Sequence, residues 1–285
     1  MPLTPDIITL LQHPDVLGLT IFTVRVIPRQ SLISTASIIL LALIEAAAQS
    51  YHPLIFTSGT TIVIHKSPNE IVVGADSLLV RRSGTLAVPL SECKITRIGN
   101  DFFAIAGNIR EQVKGFDAGK IAAEAVRSSD KAAEKVKAFE ENIRPALTDL
   151  LRIVKSNTPE YFDKLFRDKI VLAVAFFGIE EGTLYLYVRT YIAAVYNTND
   201  VEVEFENKTD CLADCAQTFA FGENAAIKEF IDTNPKYRAA STVEFVRQLV
   251  QLEIEQRPEY AGPPIDIVRL NTNGADWVQV KPECK

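Results

Sequence analysis

Two kinds of hydrophobic spacing alternate along the chain from residue 60 onward. Residues 61–67 (TIVIHKS) and 70–76 (EIVVGAD) are short, β-branched runs on either side of Pro68-Asn69, a pattern that predicts an antiparallel hairpin. Residues 85–88, 94–99 and 101–107 predict further strands, punctuated by Gly84, Pro89 and Gly99. The period then changes. Over 109–128 and 131–157 apolar residues recur at three- and four-residue steps, as Ala132, Val136, Phe139 and Ile143 do, which predicts two long helices with a kink in the second at Pro145. Strands return at 170–178 and 183–195 around Glu180-Glu181-Gly182, and 201–206 alternates as an edge strand does. A short strand at 217–221 leads into helices at 223–232 and 242–256, the latter with Ser241 as N-cap, and strands at 265–270 and 277–280 flank the turn Asn273-Gly274. Such blocks of strands and helices predict an α+β fold. The expected form is a four-layer αββα sandwich, two stacked, mainly antiparallel sheets covered by helices, in one domain over 60–285.

The first 59 residues do not share this pattern, for their only charged residues are Asp6, Asp15, Arg25, Arg29 and Glu45. Arg25 and Arg29 precede an apolar run over 32–44, and Ala46, Ala47 and Ala48 follow it. This reads as a signal peptide or leader over 1–48 and a propeptide over 49–59, hence an exported protein, periplasmic or secreted. The run is short for a bilayer span and Glu45 closes it, so no permanent membrane span is expected; the alternative is a membrane anchor through 32–48. Charge removes another class of function. Lys and Arg total 30 against 36 Asp and Glu, a net of −6 with no basic block, so no nucleic-acid partner is expected. Cys93, Cys211, Cys215 and Cys284 allow up to two disulfides in an exported chain, and three pairings stay open. Cys211 and Cys215 resemble half a zinc site, but no second pair stands near and the histidines are only His13, His52 and His65; no metal and no cofactor is expected.

Familiar catalytic strings, including G-x-x-x-x-G-K-[ST], H-E-x-x-H and G-x-S-x-G, are absent. Attention therefore falls on Ser58-Gly59-Thr60-Thr61, where a glycine precedes two hydroxyl residues at a strand start. A threonine that becomes N-terminal needs no histidine, because its own α-amine accepts the proton as its hydroxyl attacks. That amine has an ordinary pKa of about 7.7–8.0, so a nearby lysine need lower it only slightly. A carboxylate would hold the lysine in place, and a backbone N–H beside a glycine would stabilise the oxyanion.

The strings GTTIV, EIVVGADS and CKITRIGNDFFAIAG resemble the opening of proteasome β-type subunits and of the related bacterial HslV peptidase, both N-terminal nucleophile hydrolases. On this resemblance Thr60 falls on the nucleophile, Asp76 on the aspartate at a strand end, Lys94 on the catalytic lysine and Gly107 on the oxyanion-hole glycine. It implies a threonine peptidase or amidase that cleaves itself between Gly59 and Thr60, acts on a peptide or other amide bond, and assembles as a homo-oligomer, with a ring as the family's form. The later part departs from the active pattern. Gly222-Glu223-Asn224 stands where the family carries Gly-Ser-Gly, and Pro258-Glu259-Tyr260-Ala261-Gly262-Pro263 stands where it carries Asp-x-x-Ser-Gly-Gly, with Glu259 one residue from the missing aspartate. These departures motivate the alternative of a catalytically inactive scaffold or binding subunit with an unprocessed N-terminus.

Overall fold

The computed structural model describes residues 55–284 apart from 84–85, 113, 197–199, 235–236 and 238. The expected leader over 1–48, the anchor alternative over 32–48 and residues 49–54 of the expected propeptide lie outside the described residues. In chain order the first strands are β1 (Ile55–Ser58), β2 (Thr61–Lys66), β3 (Glu70–Ala75), β4 (Leu78–Ser83), β5 (Leu86–Ser91), β6 (Ile95–Ile98), β7 (Asp101–Gly107), β8 (Arg110–Glu111) and β9 (Phe116–Asp117). Helices α1 (Ala118–Arg127), α2 (Ala132–Asn157) and α3 (Pro159–Leu165) follow, then β10 (Ile170–Glu180), β11 (Thr183–Val195), β12 (Val201–Cys211) and β13 (Gln217–Gly222). Helices α4 (Ala225–Thr233) and α5 (Thr242–Gln256) precede β14 (Asp266–Asn271) and β15 (Gly274–Gln279). The arrangement is α+β, with antiparallel pairing throughout the named strands.

The strands form three sheets, ordered β12-β11-β10-β7-β6, β13-β2-β3-β14-β15 and β5-β4-β1-β8-β9. The first two bury both faces, which is why their central strands read as continuous apolar runs. On β2, Ile62 and Ile64 pack with Ala104, Ala106, Ala175 and Leu186 of the first sheet, while Val63 faces the other way into a cluster with Val246, Leu249 and Val250 of α5. The far face of the first sheet, through Phe103, Ile105, Val174 and Phe176, packs on Phe139, Ile143 and Leu147 of α2. Each of the buried Val, Ile, Leu and Phe side chains among these contributes about 1.5–3 kcal/mol relative to exposure. Buried charge fastens α2 as well: Lys135 Nζ donates to Asp101 at 2.7 Å, and Arg189, 2% exposed, is paired with Glu140.

The structure differs from the sequence expectation in four places. The third sheet is additional to the two expected ones, and β1 and β4 in it were not anticipated. The helix expected over 109–128 begins only at Ala118, where the Asp117 side chain accepts from Lys120 N and caps it; Ile109 and Phe116 reach the core from the β8–β9 region instead. A separate short helix, α3, follows α2, with Pro159 at its first turn. Strand β12 extends five residues beyond Glu206 along the edge of its sheet, to Cys211.

Candidate active site

Thr60 sits between the end of β1 and the start of β2, and its backbone is the least comfortable in the neighbourhood. Its φ is +150°, a region that β-branched residues rarely occupy, and Gly59 before it has φ +107°. Holding a threonine there costs on the order of 1–3 kcal/mol and needs outside restraint. The restraint comes from the residue that follows β13: Glu223 N donates to the Thr60 carbonyl at 2.8 Å, and the Thr61 hydroxyl donates to the Glu223 carbonyl at 2.8 Å. Gly222, at φ +82°, permits this approach, since a Cβ there would lie 1.8 Å from the Thr60 oxygen. The Thr60 hydroxyl is buried and makes no hydrogen bond, an unusual state for a polar group that elsewhere in proteins is nearly always satisfied.

Asp76, at the end of β3, fixes the ground beneath this junction. One carboxylate oxygen accepts from Thr61 N at 2.7 Å; the other accepts from Leu78 N and Gly262 N, each at 2.9 Å. The aspartate thus ties the starts of β2 and β4 to the loop that leads into β14. Burial pushes its carboxyl up to about 6, against the lowering influence of Thr61 N, Gly262 N and the Lys94 charge. Lys94 is 4% exposed, and its Nζ is the second polar atom of the region without a hydrogen-bond partner. Burial lowers the Lys94 ammonium to about 8, with Asp76 and Glu92 drawing it back up. Near neutrality, therefore, the carboxylate and the ammonium both carry charge.

The segment carrying Lys94 is pinned from the far end of the chain. Cys93 is bonded to Cys284, and Lys281 Nζ donates to the Glu92 carbonyl at 2.7 Å and to Ser91 Oγ at 3.3 Å. The remaining cysteines, Cys211 and Cys215, are bonded to each other, so the superficial likeness to half a zinc site is a short disulfide loop. Among the described residues no cluster of His, Cys, Asp and Glu suits a metal ion, and no helix is long and apolar enough to cross a membrane.

Thr60 and Gly107 line one cavity of about 470 Å³, together with Phe56, Gly59, Tyr161, Phe166, Phe221 and Glu223 among others. Asp76 and Lys94 stand outside its lining, Asp76 reaching it through its bond to Thr61 N. Glu223 pairs with Arg257 at 3.2 Å, and Arg257 also contacts Glu259 at 3.3 Å. Glu259 does not line the cavity, so it does not supply a carboxylate there. The loop after it contributes backbone instead: Gly262 N to Asp76, and the Gly262 carbonyl accepting from Ser77 N at 2.8 Å. Sequence reading missed Lys281, Arg257 and Phe56. Lys281 lies 187 positions from Lys94, and only the pairing of Cys93 with Cys284, which the sequence left open, would have brought it into view. No protein-family model matches the chain, and comparison with curated proteins finds no match.

Proposed function

We propose that this chain is a threonine-type N-terminal nucleophile hydrolase that frees Thr60 by cleaving its own Gly59–Thr60 bond and then hydrolyses a peptide or other amide bond. The observation that carries the reading is the state of Thr60: a buried, unpartnered hydroxyl beside a backbone at φ +150°, on the wall of a cavity, with Asp76 accepting from the next backbone N–H and feeling the Lys94 charge. In the first step Thr60 Oγ attacks the Gly59 carbonyl carbon. The C–O bond forms, the C–N bond breaks, the hydroxyl proton passes to the departing nitrogen, and water then hydrolyses the ester to leave a Gly59 carboxylate and a free Thr60 amine. In turnover the same hydroxyl attacks the substrate carbonyl while the amine takes and returns the proton. Lys94, drawn by the Asp76 charge without a hydrogen bond to it, keeps that amine in its neutral form, and Gly107 N–H receives the oxyanion. The three buried clusters, helix against sheet, sheet against sheet and sheet against helix, support a four-layer αββα architecture of the N-terminal nucleophile type. Export and assembly as a homo-oligomer complete the reading, with native mass as the check on the latter.

The test is the intact mass and N-terminal sequence of the purified protein beside Thr60→Ala. Wild type is expected to begin at Thr60 and the variant to retain Gly59. Cleavage of the variant at the same bond, or equal turnover by it, would falsify the mechanism. One observation favours a second reading: Glu223, paired with Arg257, stands in the cavity, and β1 walls in a fully buried Thr60. In that case the chain is a non-catalytic scaffold, and wild type keeps the residues before Thr60.

A further inference from the structure

Strand β1 occupies a slot between two other strand edges. It pairs antiparallel with β4 on one side, Phe56 opposite Arg82 and Ser58 opposite Val80, and with β8 on the other, Phe56 opposite Glu111 and Thr57 opposite Arg110. It leads directly into Gly59, whose carbonyl carbon is the one Thr60 would attack. Release of β1 leaves the β4–β5 and β8–β9 hairpins facing each other across the width of one strand, with open backbone donors and acceptors on both edges. An extended peptide lying there in the direction of β1 gains both ladders and brings its own carbonyl to the position of Gly59.

The side chain that anchors β1 is Phe56, four residues before the Gly59–Thr60 bond. Its ring is 2% exposed and lies 5.4 Å from the ring of Phe166 and 6.4 Å from that of Tyr161, which themselves meet edge to face at 5.9 Å. Tyr161 belongs to α3 and Phe166 directly follows it, so the socket is built on an element separate from the slot. Resting on the hydrolase reading above, we infer that the substrates of this site are extended peptides with an aromatic residue at the fourth position before the bond cleaved, seated in the socket that Phe56 fills in the intact chain. An alanine in that place forfeits the ring contacts with Phe166 and Tyr161 and the burial of a phenyl ring, so discrimination of at least about tenfold is expected.

The probes are the acids acetyl-Phe-Thr-Ser-Gly and acetyl-Ala-Thr-Ser-Gly, titrated by calorimetry into purified wild-type protein whose N-terminus has been sequenced, together with their aminomethylcoumarin amides as substrates. Binding of the acids does not depend on turnover. A chain starting at Thr60 is expected to bind the phenylalanine acid at least tenfold more tightly and, where the amides are turned over, to cleave its amide with a kcat/KM higher by a similar factor. Equal affinity of such a chain for both acids overturns the inference and leaves the hydrolase reading standing. A chain that keeps Gly59 and its upstream residues overturns both, because the slot is then permanently filled.

Discussion

Lys94 and Thr60 Oγ share one property at the residue scale: each is a buried polar group with no hydrogen-bond partner, while Asp76 beside them accepts three. Burial without partners costs stability and is retained where chemistry uses it. For Lys94 the sign follows from its lowered pKa, about 8 in the folded chain against an ordinary 10.5. The folded chain holds the proton more weakly than the unfolded chain, so the penalty is full below about pH 8 and is relieved as pH rises from there to 10.5. Lys94→Met is therefore expected to raise stability at pH 7 by on the order of 1–3 kcal/mol, read from urea unfolding, and to abolish cleavage at Gly59–Thr60. The gain should shrink when the same comparison is made toward pH 10. Loss of stability at pH 7 would mean that the Lys94 charge is repaid by its attraction to Asp76. Thr60 stood out in the sequence as a hydroxyl residue after a glycine at a strand start, whereas Asp76 and Lys94 were picked out only by the resemblance to N-terminal nucleophile hydrolases. What decides their state, burial and the absence of partners, has no local signature.

Elements packed from distant parts of the chain set that burial. Helix α2 was visible from its three-and-four spacing, and its long apolar face does cover Phe176 and Tyr191 of the first sheet. Its polar attachment was not visible, since Glu140 reads as one more solvated charge on a helix. In the fold Glu140 pairs with Arg189 of β11 and with Lys208 of β12 at 3.1 Å. Glu140→Ala leaves the Arg189 guanidinium buried with Asp210 as its remaining carboxylate, and a loss of about 3 kcal/mol is expected in denaturant unfolding. Adding Arg189→Met should recover part of it, and a double variant worse than the sum would exclude this account. The β8–β9 region shows why an apolar period misleads. Ile109 and Phe116 have helical spacing, yet the chain between them turns back on itself, with Gly115 at φ +74°, before α1 begins.

Across the whole molecule the disulfides divide the work unequally. Cys211–Cys215 closes a loop of sequence separation 4 and Cys93–Cys284 one of 191, so the second restricts the unfolded chain far more. Cys284→Ser is expected to cost about 3–5 kcal/mol and Cys215→Ser about 1–2 kcal/mol, compared by thermal unfolding without reductant. Equal losses would argue that the long bridge contributes through native contacts alone. Neither pairing was legible in the sequence, because four cysteines leave three options and only the folded path brings residue 284 back beside residue 93. The long bridge also makes the polypeptide a closed covalent ring over most of its length. A protease nick anywhere between Cys93 and Cys284 leaves both pieces joined, so on a denaturing gel without reductant nicked protein runs as one chain. A cut at Gly59–Thr60 lies outside the ring and sheds its fragment under the same conditions, which makes the unreduced gel a readout of self-processing blind to incidental proteolysis within the ring.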